Sequence, residues 1–294
     1  LENAPETGRR RFMAVSEQLE EDIRKIVLEE TLQEFRGKIL PSNHPLTQNV
    51  RRVTRRIITA SNLGHLEGDP KREPLVDFWG AGAEIPRPTS VHPEKEWVVL
   101  VINDKNFVNA FAAPGLVCVS TGIMPVARNE AGLAAIIGHE IGHVTMRHTA
   151  EHLSQAMILL PVTGLFLTFG IGPWIATWIS TTLTKYFYSL PHSRALETEA
   201  DTVGLKLISR ACYDPGAAPR VFQDLQKLET AHVPKFLSTH PPTPERIAHL
   251  KTLLPESYNI YNSNPECLQL DAMREKGFLA RVTMHIDDTG MASE

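Results

Sequence analysis

The pattern His-Glu-x-x-His occupies residues 139–143, at the end of a run rich in alanine and aliphatic side chains. Asn129 is a suitable N-cap and an acidic residue follows it, so we predict a helix that begins near residue 130. Residues four apart lie on one face of a helix, one turn above the other. His139 and His143 therefore direct two imidazole rings toward one point, with Glu140 about 100° around the helix axis.

Two histidines and an intervening glutamate on one helix are typical of zinc hydrolases, in which the histidines bind the metal and one position stays open for water. We therefore predict that His139 and His143 are zinc ligands and that Glu140 is the general base. The alternative is a pair of buried histidines that satisfy hydrogen bonds in the core. Gly138 and Gly142 favour the functional interpretation, because they clear one side of the helix for close approach by another backbone.

A third zinc ligand is predicted in the acidic segment 194–201. Glu197 and Asp201 are four residues apart, so they share a helical face. We predict that Glu197 binds the metal and that Asp201 accepts a hydrogen bond from the second ring nitrogen of a ligating histidine. The alternative is a solvated acidic face of a helix.

These motifs resemble the membrane-linked zinc metallopeptidases, which include bacterial HtpX, the CaaX-processing proteases and the mitochondrial Oma protease. The resemblance rests on residues 139–143 and on the pattern Arg194-x-x-Glu197-x-Glu199-Ala200-Asp201. It extends to the segments 5–12, 109–115, 120–122 and 239–247. It is strongest to the Oma type.

The resemblance implies an α+β fold that is mainly helical and of the zincin type, with a small antiparallel sheet beside the His-Glu-x-x-His helix. It implies one zinc ion per chain, with Arg194 and Asp201 next to the ligands. In the implied mechanism, Glu140 takes a proton from zinc-bound water, which attacks a peptide bond.

The resemblance also implies a biological setting. It indicates a zinc metalloendopeptidase that cleaves membrane-associated proteins in mitochondrial quality control and stress response. The expected location is the inner membrane, with the catalytic domain facing the intermembrane space. A bacterial peptidase of the periplasm or membrane is one alternative. A catalytically idle adaptor is another, and the intact Glu140 argues against it.

His240 is a second candidate catalytic residue. It precedes a proline, which holds it extended, and it lies in a predicted loop. It can donate a hydrogen bond to the oxyanion of the reaction. It can also occupy the open metal position when substrate is absent and so keep the enzyme latent. The third interpretation is an incidental histidine where a helix begins, and we interpret His148 as structural because it turns away from the metal.

Three apolar segments, 97–102, 108–112 and 116–120, are predicted strands that lead into the metal-binding helix. We expect them to form the small antiparallel sheet. In the resembling peptidases an edge of this sheet pairs with extended substrate, and such strand addition recognises backbone more than side chains. The candidate edge consists of Asn109, Ala110, Phe111 and Ala112.

Residues 153–184 contain no Lys, Arg, Asp or Glu. The stretch is longer than the roughly 20 residues that span a bilayer, but prolines and glycines interrupt it. His143 and Glu197 must meet at one metal, so both ends of the stretch return to the same side. We therefore predict a hydrophobic hairpin that contacts the membrane surface, in preference to a buried hairpin or a complete crossing.

The segments before the sheet are predicted to be helical, over residues 16–35 and 46–62. We divide the chain into an N-terminal helical segment (1–66), a metallopeptidase domain (67–256) and a C-terminal extension (257–294). Three arginines within residues 8–12 indicate either an interfacial membrane anchor or a basic coil. Four arginines on the second predicted helix favour a solvated face over membrane contact.

The remaining composition sets broader limits. The net charge of −4 indicates no particular partner. The peptidase resemblance implies protein substrates; we expect no nucleic-acid partner, and a homo-oligomer is left open. The chain opens with Leu1, from which we expect that a preceding segment was removed. Cys212 and Cys267 can pair if they are close, which requires an oxidising compartment such as the intermembrane space.

Overall fold

The computed structural model describes residues 1–4, 7–69, 95–157, 194–227 and 235–272. Within them the chain is mainly helical, with two small sheets. The helices are α1 (Glu17–Glu34), α2 (Pro45–Ala60), α3 (Met124–Ala127), α4 (Glu130–Thr145), α5 (His148–Met157), α6 (Arg194–Arg210), α7 (Ala217–Lys227), α8 (Lys235–Thr239) and α9 (Pro244–Asn262). The strands are β1 (Glu2–Asn3), β2 (Arg10–Arg11), β3 (His65–Leu66), β4 (Glu96–Ile102), β5 (Ala110–Ala113) and β6 (Leu116–Ser120).

The first two helices lie where the apolar periodicity predicts them. The Ser16 hydroxyl accepts a hydrogen bond from the backbone N–H of Leu19 and caps α1. Pro45 opens α2, a position where its missing N–H costs nothing. The apolar stripe of α2 is fully buried and joins the core shared with α4 and α6: Val50, Val53, Ile57 and Ile58.

The basic face of α2 contacts the protein itself. Arg52 pairs with Glu130 at 2.6 Å and Arg55 pairs with Asp69 at 2.5 Å. The Arg56 guanidinium lies over the Tyr213 ring, 4.8 Å from its centroid. These intramolecular contacts account for much of the positive charge, and the solvated-face interpretation stays a prediction.

The larger sheet is mixed, so the prediction of an antiparallel sheet is wrong in part. Its strand order is β3-β4-β6-β5, in which β4 and β6 are parallel and only β5 and β6 are antiparallel. Residues 103–109 carry the chain past the position of β6, so β5 forms the edge and β6 returns between β5 and β4. Apolar periodicity identifies buried strands, but it does not specify which strands are neighbours.

Helix α4 lies at the centre of the fold. The Asn129 side chain accepts a hydrogen bond from Gly132 N–H and caps the helix, as predicted. Every residue from Gly132 to Thr145 is buried, because the helix packs on the sheet, on α2, on α6 and on α7. A helix that is apolar on all sides is expected in the middle of a domain.

Glycines bring the backbones of α4 and α6 into direct contact. A Cβ atom on Gly142 would lie 2.7 Å from the carbonyl oxygen of Ala200. A Cβ atom on Gly204 would lie 2.9 Å from the carbonyl oxygen of Gly138 and from the Cα of His139. The predicted close approach at Gly138 and Gly142 is therefore made by α6, the helix that carries Glu197.

Some predictions fall outside the described residues. Helix α5 covers the start of the hydrophobic stretch 153–184, and residues 158–193 lie outside the description. Among the described helices, none has the length and apolar content to cross a membrane. The division at residues 66 and 256 stays a prediction. A disulfide joins Cys212, just after α6, to Cys267, in the helical segment 265–272 that follows α9.

The close contact between α4 and α6 predicts that Gly142→Ala destabilises the fold, the opposite of its usual effect in a helix. On a solvated helix this change stabilises by about 1 kcal/mol, because alanine is the better helix former. Here the added methyl group would clash with Ala200, so we expect a loss of about 1–3 kcal/mol, typical of overpacking. Urea unfolding of the metal-free chain measures this, and a stabilised variant would contradict the close contact.

Candidate metal centre

Four side chains from three segments converge on one buried point. Helix α4 contributes His139 and His143, α6 contributes Glu197, and the loop after α8 contributes His240. One potential ligand atom from each lies within 4.8 Å of the others. All four side chains are buried, with at most 6% of each exposed. Sequence reasoning named His139, His143 and Glu197 as metal ligands, and His240 as a catalytic residue that can occupy the open metal position.

Five of the donor separations are close to those around a tetrahedral metal, and all four donor atoms lie within 4.8 Å of one another. His139 Nε2 lies 3.2 Å from His143 Nε2 and 3.2 Å from His240 Nδ1. The Glu197 carboxylate lies 3.4, 3.3 and 3.1 Å from the facing nitrogens of His139, His143 and His240. Ligands bound 2.0–2.1 Å from a tetrahedral zinc ion are separated by about 3.3 Å. Three imidazole nitrogens and a carboxylate oxygen are also the donor types that zinc prefers.

The second nitrogen of each α4 histidine has its own buried partner. His139 Nδ1 lies 3.0 Å from Asp201 Oδ1, where sequence reasoning placed this carboxylate. His143 Nδ1 lies 2.8 Å from Nδ1 of His148. Metal-binding histidines usually donate their other N–H in this way, which fixes the ring orientation. His148 does not belong to the donor set, but it contacts one member of it.

Arg246 is the arginine beside the metal centre, and Arg194 is not. The Arg246 guanidinium donates to both Asp201 oxygens at 2.8 Å and lies 2.7 Å from Glu197 Oε2. Arg194 is exposed at the start of α6, and no contact of its side chain with the donor set is recorded among the described residues. The prediction for Arg194 is corrected on this point, because a position one turn before Glu197 faces solvent at the helix end.

Arg246 was the residue that sequence reasoning missed. It lies in the segment 239–247 that carries the resemblance, but no role was assigned to it. Its partners are 45 and 49 positions away in sequence, so helical spacing gives no signal. The sequence shows only an arginine five residues after the His240-Pro241 pair, and its burial appears in the structure.

Glu140 points toward the same centre from α4. It is 4% exposed, and its Oε1 atom lies 3.4 Å from His240 Nε2. Burial raises the pKa of Glu140 above its ordinary value, although the neighbouring His240 and His139 oppose the rise. A general base near neutral pH benefits from such an increase.

The electrostatics favour a cation at the donor set. Burial acts to raise the pKa of Glu197, but His240 and His143 outweigh it and hold the pKa well below the usual range. Burial acts to lower the pKa of His139, but Asp201 and Glu197 outweigh it and raise the pKa to about 9. Glu197 thus stays ionised, and positive charge at His139 is stabilised. A metal ion supplies that positive charge when it displaces the proton.

Comparison with known proteins decides the family. The model of peptidase family M48 matches residues 82–254, more than half of the chain. The chain belongs to peptidase family M48.

Relatives of this M48 peptidase agree with the family match. It is 32% identical over 272 residues to the mitochondrial metalloendopeptidase OMA1 of Saccharomyces cerevisiae, covering 90% of this chain and 72% of the relative. It is 33% identical to the protein of that name from Schizosaccharomyces pombe, over 87% and 67% of the two chains. The Arabidopsis thaliana protein of that name is 28% identical, over 82% of this chain and 58% of the relative. The predictions of the family and of a metalloendopeptidase are confirmed.

The predicted substrate strand lies at the edge of the described sheet of the M48 peptidase. Strand β5 pairs only with β6 among the described strands, and Asn109 precedes it. Residues Ala110–Ala113 are buried against α4 and the core. The backbone N–H of Phe236 in α8 donates to Val108 O at 3.1 Å, so the segment that ends in His240 contacts the start of this edge.

The Arg246 contacts predict unequal effects of two arginine substitutions. Arg246→Met leaves Asp201 and Glu197 without their buried cation. We expect a loss of about 3–5 kcal/mol in unfolding free energy, as for other broken buried pairs. Arg194→Met removes an exposed charge and should change stability by less than about 0.5 kcal/mol. Denaturant unfolding of both variants tests the assignment, and equal losses would contradict it.

Proposed function

We propose that this M48 peptidase is a zinc-dependent endopeptidase that cleaves membrane-associated proteins in mitochondrial quality control and stress response. One observation carries the proposal: buried donor atoms of His139, His143, Glu197 and His240 converge within 4.8 Å of one another. Glu140 lies beside them in the position of a base. Arrangements of this kind perform metal-assisted hydrolysis.

In the proposed reaction, His139, His143 and Glu197 would hold one zinc ion per chain. When bound, zinc supplies a Lewis acid for the peptide carbonyl and lowers the pKa of water. Glu140 accepts the proton of the attacking water and returns it to the leaving amine. Asp201 and Arg246 keep His139 and Glu197 oriented throughout.

His240 is proposed to keep the enzyme latent. A catalytic zinc site uses three protein ligands and leaves the fourth position for water or substrate. Nδ1 of His240 lies among the donors and so competes for that position. Substrate access then requires that His240 withdraws together with α8. The contact between Phe236 and Val108 links this withdrawal to exposure of the sheet edge.

Substrate binding is proposed at the outer edge of β5. An extended peptide would add a strand beside residues 109–112, with hydrogen bonds to backbone groups. Such pairing recognises an unfolded or extended conformation more than a sequence, so selectivity among substrates should be modest.

The mitochondrial location is proposed from the names of the relatives. The inner membrane, the orientation toward the intermembrane space and membrane contact through residues 153–184 belong to the same proposal. The disulfide between Cys212 and Cys267 supports an oxidising compartment. Fractionation of mitochondria with protease protection of the natural gene product tests the location, and a matrix or cytosolic protein would contradict it.

Two glutamate substitutions test the chemistry. Glu140→Gln keeps the ligands, so we expect about one zinc per chain and no cleavage of an unfolded protein substrate. Glu197→Ala removes a ligand, so zinc content should fall well below that of the parent. Glu256→Gln, an exposed change on α9, is the control and should retain both properties. Proteolysis that survives Glu140→Gln would contradict the assignment.

His240→Ala separates the two roles of this histidine. If His240 blocks the metal, its removal opens the fourth position, and cleavage of an unfolded protein should become faster. If His240 stabilises the oxyanion instead, removal should slow cleavage by about 10²–10³-fold, typical of a lost oxyanion donor. Zinc content measured in parallel shows whether the remaining three ligands suffice.

A further inference from the structure

The N-terminal hairpin contacts the polar network behind the metal centre. Strands β1 and β2 pair, and the turn between them is closed by a hydrogen bond of 2.7 Å from Ala4 N to Arg9 O. The turn carries Thr7 and Arg9 to Glu199 on α6. These residues belong to the arginine-rich segment 8–12 or adjoin it, for which the sequence indicated a membrane anchor or a coil.

Glu199 receives three hydrogen bonds from this turn. The Thr7 hydroxyl donates to Oε1 at 2.5 Å, and Arg9 donates from Nε at 3.0 Å and from Nη2 at 3.2 Å. The other side of the Arg9 guanidinium donates to both oxygens of Glu151 on α5, at 2.6 and 2.7 Å. Both glutamates are about 1% exposed, so their charges need compensation. Arg9 supplies it to both, and the buried Arg11 also lies 3.7 Å from Glu151.

Glu199, which accepts these hydrogen bonds, also determines where the His148 and His143 rings carry their protons. His148 Nε2 lies 3.1 Å from Glu199 Oε2, so this nitrogen carries a hydrogen and donates. In a neutral ring, Nδ1 of His148 then has a lone pair, and it lies 2.8 Å from His143 Nδ1. His143 therefore carries its hydrogen on Nδ1. The lone pair on His143 Nε2 points into the donor set.

We propose that Thr7, Arg9, Glu199 and His148 form a positioning relay that holds His143 in the tautomer and orientation needed for metal binding. Arg9 is accordingly a positioning residue of the metal centre, although it lies 134 positions before His143 in the sequence. This inference rests on the proposed function, because it concerns a ligand of the proposed zinc site. It adds the N-terminal hairpin to that site.

The hairpin is held firmly enough to act in this way. Arg11 is 4% exposed, and its guanidinium donates to the backbone oxygen of Met146 and to Glu2. The backbone N–H groups of Ala14 and Val15 both donate to the Ser154 hydroxyl, at 2.8 and 3.2 Å. These contacts fix the segment that follows Arg9 against Met146 and α5.

Zinc affinity tests the relay directly. The full chain carrying Glu140→Gln serves as the parent, because it does not digest itself, and zinc is titrated against a chromophoric chelator. Loss of a partner behind a metal-binding histidine typically weakens metal binding about 10–100-fold. We expect Arg9→Met to weaken zinc binding within this range and to alter the visible absorption spectrum of the cobalt(II)-substituted protein. Arg9→Lys should recover part of the affinity, because an ammonium keeps the charge but not the fork of donors.

Arg10→Met is the matched control. Arg10 is exposed, lies next to Arg9 and has the same charge. Its removal should change the dissociation constant by no more than about two-fold, as for other surface substitutions. Equal zinc dissociation constants for Arg9→Met and Arg10→Met, with only the thermal midpoint lowered for Arg9→Met, would overturn the relay. Arg9 would then only stabilise the fold.

A double variant identifies the route. If Arg9 acts through Glu199 and His148, then Arg9→Met should have little further effect once His148→Phe has broken the relay. Independent effects that add in the double variant would overturn it. If Arg9→Met does not fold, Thr7→Val gives the same readout from an exposed side chain. It should weaken zinc binding about five-fold, the value of one hydrogen bond, and an unchanged affinity would overturn the relay.

The experiment keeps the two proposals apart. A parent chain that binds no zinc would contradict the proposed function. If the parent binds one zinc, and Arg9→Met and Thr7→Val bind zinc with the same affinity as the parent, only the relay is contradicted.

Discussion

The direct backbone contact between α4 and α6 is the constraint on which the metal centre depends. Imidazole and carboxylate side chains have a fixed reach, so ligands from two helices meet only if the helix axes are close. Gly142 and Gly204 permit that approach, although glycine in a helix interior costs about 1 kcal/mol relative to alanine. The cost is offset by the apolar burial around α4, whose side chains are enclosed on all sides. The glycines therefore act on function through geometry, without contacting the metal centre themselves.

Burial of charge at the centre has its own energetic requirement. Glu140, Glu197, Asp201 and Arg246 are at most 5% exposed, and isolated charges in such places are strongly destabilising. Arg246 compensates the charges of two carboxylates at once, and the neighbouring histidines compensate the remaining negative charge. A buried polar network of this kind contributes less to the free energy of unfolding than an apolar core of equal volume. Its retention in the middle of the fold is explained by the chemistry that it supports.

Sequence reasoning reached the features that depend on neighbours within one element. The spacing of His139 and His143, the cap at Asn129 and the shared face of Glu197 and Asp201 all follow from helical geometry, and the structure agrees. The order of the strands did not follow, because alternating burial says nothing about which strand lies beside β4. Arg9 and Arg246 were also out of reach, since their partners lie 45 to 190 positions away. Basic residues have the same appearance in sequence whether they face solvent or a buried carboxylate.

The two histidines of α4 are oriented by parallel chains of contacts from opposite ends of the sequence. His139 contacts Asp201, which Arg246 holds from the C-terminal side. His143 contacts His148 and then Glu199, which Arg9 holds from the N-terminal side. Each α4 histidine thus depends on a separate carboxylate and a separate arginine, and both arginines lie outside the α4–α6 pair. A displacement of the N-terminal segment would loosen His143, and a displacement of the C-terminal segment would loosen His139 and Glu197. The packed helices would stay in place in both cases, because close-packed cores resist continuous deformation. Control of the metal centre therefore does not require movement of the helices that build it.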